Sequence, residues 1–231
     1  MANYVVRRLR YLFLIVACYQ AQNLVVSKTR SGRKLYDQLP PDVIDAASKI
    51  SLNSVRIFLK TDEASGRLTH HKWIWNLNNS SDEPMEYIYY VLEGDVPKRF
   101  ADLNVRVIDE GRNRQKIMHL VKEKPLRKEF YVTLTHPILP QEKDRVFVIE
   151  YDWEEAERKY VYSFPARCKH YSLQLTIPRT LEIKPAVYWI DFKREVESAS
   201  INPVREQTGK WVELTWHMSD VPESTNLMIK W

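Results

Sequence analysis

A chain of 231 residues that is 44% hydrophobic and 12% aromatic has ample material for a packed core, which excludes low-hydrophobicity disorder. Two cysteines are too few for a disulfide scaffold, and five glycines leave almost no room for phosphate-cradling loops. The charge of +5 comes from 35 basic against 30 acidic residues, a small excess that does not by itself single out a nucleic-acid binder.

The N-terminal stretch MANYVVRRLRYLFLIVACYQAQNLVV starts basic and turns apolar. Its uninterrupted apolar run, Tyr11 to Tyr19, is nine residues long, well short of the roughly 20 that span a bilayer, so no transmembrane helix is expected. Val5, Leu9, Leu12, Phe13, Val16 and Tyr19 recur at steps of three and four, the pattern of an amphipathic helix. SKTRSGR then breaks the pattern, and PPDVIDAASKI reads as a second short helix with Pro41 in its first turn. Residues 1–51 are therefore predicted to be a helical segment and residues 52–231 a separate β domain.

Other readings of this segment stay open. Ile15, Val16, Ala17 and Cys18 match a bacterial lipobox, which gives an envelope lipoprotein acylated at Cys18, and a basic amphipathic helix also suits a membrane surface. The dense basic residues are Arg7, Arg8, Arg10, Lys28, Arg30, Arg33 and Lys34, the candidate contacts for an anion, a nucleic acid or a partner protein. The apolar stripe itself needs cover, from the chain's own domain, from self-association or from lipid.

From Val55 onward the hydrophobic period becomes two, with about ten candidate strands separated by turn signals. VRIFLK leads through an ASG turn into RLTHHKWIWNL, where Thr69, His71, Trp73, Trp75 and Leu77 share a side. After an SSDEP turn come EYIYYVLEG and a hairpin with Val105 and Val107 before its EGRN turn and Ile117 after it. FYVTLTHPILP and RVFVIEYDW precede an EEAERK connection expected to be exposed. Tyr171, Leu173, Leu175 and Ile177 alternate with Ser172, Gln174 and Thr176 in HYSLQLTIP, and Val212, Leu214, Trp216 and Met218 share one side of a later strand. No long helical pattern intervenes, which argues against βαβ units. The expected fold class is mainly β: an antiparallel two-sheet β-sandwich, with an open barrel as the alternative.

Strand geometry turns Glu150, Asp152 and Glu154 to one side, with Phe147, Ile149, Tyr151 and Trp153 opposite. Same-side neighbours are about 7 Å apart, near enough for two carboxylates to share an ion, but a charged strand end facing water accounts for the pattern more simply. His70 and His71 point to opposite faces and cannot chelate together, and Cys168 with His170 supplies two zinc ligands where four are needed. The seven tryptophans fit a core better than a stacking platform. No catalytic, cofactor-binding or metal residues are assigned and no cofactor is expected.

HPILPQEKDRVFVIEYDW, followed by YVYSFPARCKHYSLQLTIP, resembles uncharacterised prokaryotic β-sandwich domains that carry a PLxPGE turn, a YxW strand and a later strand ending in a Phe-Pro-like dipeptide. The resemblance covers residues 55–231. Gln141 stands where those domains have Gly, and Ile177 and Pro178 stand where Phe-Pro is usual. It implies an accessory sensor or interaction module of signalling or defence-type proteins and brings no catalytic residues. The resulting expectation is a non-enzymatic binding module in the cytoplasm, recognising a partner protein or small ligand and self-associating through its N-terminal helices. The alternatives are the envelope lipoprotein or membrane-surface protein, and a nucleic-acid-binding accessory protein.

Overall fold

The computed structural model describes residues 50–110, 113–115, 118–164, 166–181, 183–190, 197–198, 201–223 and 225–231. Cys18, the basic residues Arg7, Arg8, Arg10, Lys28, Arg30, Arg33 and Lys34, Ile117 and residues 1–49 of the expected helical segment lie outside them. Ile50 and Ser51, expected to end that segment, belong instead to the first strand, because they pair with Asn79 and Asn78 of the second.

The described chain is mainly β. In order, its strands are β1 (Ile50–Thr61), β2 (Leu68–Asn79), β3 (Met85–Glu93), β4 (Arg106–Asp109), β5 (Asn113–Gln115), β6 (Met118–Lys124), β7 (Arg127–Ile138), β8 (Arg145–Asp152), β9 (Lys159–Ser163), β10 (Cys168–Pro178), β11 (Ala186–Ile190), β12 (Glu197–Ser198), β13 (Val204–Thr208), β14 (Trp211–Val221) and β15 (Asn226–Lys230). They form three sheets: eight strands in the order β13-β14-β10-β1-β2-β8-β4-β5, four in the order β12-β11-β15-β9, and three in the order β3-β7-β6. None closes into a barrel. Among the described residues no helix is long and apolar enough to cross a membrane.

One pairing departs from the antiparallel expectation. β1 and β10 run parallel at the centre of the large sheet, from Leu52 opposite Cys168 to Lys60 opposite Thr176. A parallel pair needs a long return rather than a tight turn. Here the return among the described residues is not a crossover helix but the eight strands between them, which is why local periodicity gave no sign of it.

Alternation decides which face of the large sheet is dry. Val55, Ile57, Trp73, Trp75, Phe147, Ile149, Tyr171, Leu173, Leu214 and Trp216 are buried, while Lys72, Glu150, Ser172 and Gln174 look outward. A register shift at Lys60/Thr61 admits an extra residue on β2, so both Leu68 and His71 turn inward. Both smaller sheets meet this dry face. Trp75 stacks on Tyr90 of β3 at 5.3 Å, and Trp73 meets Tyr162 of β9 edge-on at 6.4 Å. Truncating aromatics buried in this way costs about 3–5 kcal/mol each. Trp73, Trp75, Trp153 and Trp216 are fully buried, and Trp189 and Trp231 pack against the same core.

The EEAERK connection departs from its exposed expectation at one residue. Glu155 is fully buried, its Oε2 accepting the backbone N–H of Asp95 at 3.1 Å, while Asp95 in turn accepts the N–H groups of Ala156 and Glu157. The loops 94–98 and 153–157 thus hold each other. Trp153 donates its indole N–H to Val96 O at 2.7 Å, and a side chain at Gly94 would come within 2.3 Å of that ring.

Candidate functional site

The outward side of β8 holds the acids that the sequence singles out, and each has a basic or polar partner. Glu150 is bridged by Lys72 at 3.0 Å and Arg106 at 2.9 Å, and Glu154 pairs with Arg67 at 3.2 Å. Asp152 meets His70 Nδ1 at 2.7 Å through one oxygen and accepts the Asn104 amide at 3.0 Å through the other. Burial works against its charge, yet the His70 and Asn104 hydrogen bonds outweigh that and hold the carboxyl below the usual aspartate range. These carboxylates are ion-paired rather than merely solvated.

Above Asp152 the chain forms a feature that brings different chemistries together. After β3 it turns through a short 3₁₀ segment, Phe100–Leu103, which Asn104 ends in the left-handed region at φ 51. Asparagine is one of the few residues besides glycine that visit that conformation, and here the Asn104 side-chain amide reaches across to Asp152. Leu103 is buried beneath the segment, Phe100 leans on Phe130 at 5.1 Å, and the Phe100 N–H donates to Glu123 at 2.6 Å. The result is an open cleft of about 500 Å³ lined by Phe100, Ala101, Asn104, Val105, Arg106, Met118 and Asp152. Its walls are apolar and its rim carries one amide, one guanidinium and one carboxylate whose partners fix their positions. Ligand sites combine these features.

The structure separates several other expectations. His70 faces outward to Asp152 and His71 lies inside, so the pair does splay to opposite faces. His71 stacks on Tyr151 at 4.3 Å and donates from Nε2 to Trp153 O at 3.2 Å. Burial drives its pKa down to about 3, so it is neutral at pH 7 even with Glu155 Oε1 3.8 Å away. Cys168 is buried with its thiol pushed up to about 11 by that burial, and its Sγ donates to His170 O. Among the described residues no group of three or more His, Cys, Asp or Glu side chains is arranged to hold a metal ion.

Sequence reasoning missed the cleft and a buried ion pair. Asp109, which directly precedes the EGRN turn, is fully buried and accepts Arg145 Nε at 2.7 Å and a terminal guanidinium nitrogen at 2.5 Å. Arg145 also donates to Glu142 and to His136 O. The one available signal was the turn itself. Gln141 has φ 61, a conformation that glycine adopts more readily, and its amide donates to Ser80 O at 3.2 Å.

No family model and no curated protein matches this chain. Among solved structures it is similar to a putative protease from Parabacteroides distasonis, with a TM-score of 0.49 and 10% identity over 78% of this chain and 40% of that one. It is also similar to an M1 zinc metallopeptidase from Deinococcus radiodurans, with a TM-score of 0.46 and 13% identity over 79% and 42%. The chain thus spans about two fifths of the length of either. The zinc and the peptidase activity belong to that second protein.

Proposed function

We propose that the protein is a cytoplasmic, non-enzymatic binding module on a sandwich scaffold, with the large sheet as one layer and the two smaller sheets side by side as the other. It recognises an apolar side chain of a partner protein in the cleft beside Phe100–Leu103. The observation that carries this reading is the cleft itself: Phe100, Val105 and Met118 supply apolar walls, and the pairs Asn104–Asp152 and Arg106–Glu150 hold the rim polar groups in place. Prefixed polar groups around an apolar recess give orientation and specificity at little ordering cost. The same pairs occupy the acids of β8, which supports a recognition role for them over proton transfer.

The test uses the isotope-labelled full chain and the N-acetyl amides of leucine, phenylalanine and methionine. Amide chemical-shift changes should concentrate at Asn104, Val105 and Arg106, with millimolar affinity as befits probes of this size. Ala101→Trp, which fills the recess, should abolish them. Shifts scattered away from the cleft, or unchanged by Ala101→Trp, would refute the reading.

A further inference from the structure

Among the described residues β6 bonds to β7 alone and ends its sheet. Every residue from His119 to Lys124 is exposed, so the backbone N–H and C=O groups along its free edge meet solvent. The register with β7 sorts the side chains. Met118 and Leu120 lie opposite Val132 and Phe130, both fully buried, and so turn toward the large sheet. Val121 is the extra residue of a bulge, after which Lys122 and Lys124 lie opposite Glu129 and Arg127 on the outward side, and Glu123 turns inward opposite Lys128. An inward leucine should be dry. Leu120 is instead 44% exposed, although Phe130 beside it is 0% exposed. It therefore stands open on the same side of β6 as Met118, which lines the cleft.

We infer that an extended, acidic segment of the partner protein adds to the free edge of β6 as a further strand and delivers an apolar side chain to the cleft. This rests on the cleft reading given above and specifies how the side chain is presented. Strand addition draws affinity from main-chain hydrogen bonds and selectivity from recesses that take alternate side chains. β6 offers both, since it carries the edge and, through Met118, a wall of the recess. Same-side residues of an added strand stand about 7 Å apart, so two apolar residues separated by one meet the cleft and Leu120. The residues between them then project outward beside Lys122 and Lys124. Acids suit that side. Lys122 reaches Glu129 only at 3.7 Å, Lys124 is exposed, and Glu123, the acid between them, is taken up on the inward side by the Phe100 N–H at 2.6 Å. The lysines also disfavour a second copy of β6 as the occupant, because lysine on an edge strand discourages self-pairing, whereas carboxylates turn the same lysines into contacts.

The test titrates the isotope-labelled full chain with the acetylated, amidated peptide Glu-Leu-Glu-Leu-Glu. It should bind at least about tenfold tighter than N-acetyl leucine amide and shift the amides of His119, Leu120 and Val121 as well as those of Asn104, Val105 and Arg106. N-methylating its leucines blocks one edge of the peptide, and N-methylating its glutamates blocks the other. One of these two peptides should lose at least about tenfold in affinity while the other keeps it, because an added strand uses a single edge. Exchanging the glutamates for lysines should weaken binding about tenfold at low salt. If both N-methylated peptides bind alike, or His119–Val121 do not shift while N-acetyl leucine amide still shifts Asn104–Arg106, the strand addition is overturned and the cleft reading stands. Binding at His119–Val121 that depends on one edge yet survives Ala101→Trp would overturn delivery to the cleft and the cleft reading with it. Shifts at His119–Val121 that grow with protein concentration in the absence of peptide would assign the edge to a second copy and overturn the proposal.

Discussion

The two ends of β8 carry charge in opposite settings. At its start Arg145 is almost wholly removed from water and locked on to Asp109, which is fully buried. At its far end Asp152 and His70 form a contact nearly as short, 2.7 Å against 2.5 Å, but both side chains are more than a third exposed. The difference teaches that burial, not distance, sets what a pair is worth. An exposed pair is screened and contributes about 0–1 kcal/mol, whereas removing one partner of a buried pair strands the other in a dry site.

The strongest way to break that comparison is at the buried end. Asp109→Asn should destabilise the protein by about 3 kcal/mol in denaturant unfolding, because Arg145 keeps its charge and loses its buried counter-ion, retaining only the partly exposed Glu142. The double substitution Asp109→Leu with Arg145→Met should recover much of this loss; a loss of under about 1 kcal/mol for Asp109→Asn alone would equate the two ends.

Two buried titrating groups sharpen it next. His71 has a folded pKa of about 3, far below its ordinary 6.5, so the unfolded chain takes up the proton first and stability falls as pH drops below 6.5. Glu93 is pushed up to about 7 by burial, only partly offset by Arg127, so the unfolded chain releases its proton first and stability falls as pH rises from about 4.5 to 7. Each slope approaches about 1.4 kcal/mol per pH unit, and between pH 4.5 and 6.5 they oppose each other. His71 is surrounded by His70, Lys98, Asp152, Glu155, Tyr151 and Tyr160, and Glu93 by Arg127 and Glu129. Urea unfolding across this window should be nearly flat in the parent. Glu93→Gln should uncover a decline toward acid, and His71→Phe a decline toward neutral pH; parallel curves for all three proteins would refute both assignments.

Smaller effects belong to the exposed end. Gly94→Ala should cost about 1–3 kcal/mol in thermal unfolding, since its methyl group meets the Trp153 ring at 2.3 Å. Glu150→Gln and Asp152→Asn should each cost under about 1 kcal/mol, because their partners remain solvated. If either exceeded the Gly94→Ala loss, charge rather than packing would hold this end of β8.

Much of the strand pattern was legible because alternation is a local property. The dry side of HYSLQLTIP and the splaying of His70 from His71 need only the two-residue period of a strand. The parallel β1–β10 pair was not legible, since the partner of a strand is chosen by the whole fold. Asp109 and Glu155 misled for a related reason: a carboxylate reads as surface until its partner is known, and Arg145 and the Asp95 N–H lie 36 and 60 residues away. The cleft is harder still, because Phe100, Met118 and Asp152 come from three separate stretches. Gln141 takes a left-handed φ that glycine adopts more readily, so nothing in its residue type announced that conformation.

The adjacency of Leu52 to Cys168 also constrains how the molecule is made. At ribosomal speeds of about 5–20 residues per second, β10 emerges on the order of 10 s after β1, and until then the hairpin of β1 and β2 presents an open edge to solvent. Nascent chains halted before residue 178 therefore lack the strand that seals this edge, and they are the species on which a holding chaperone would act.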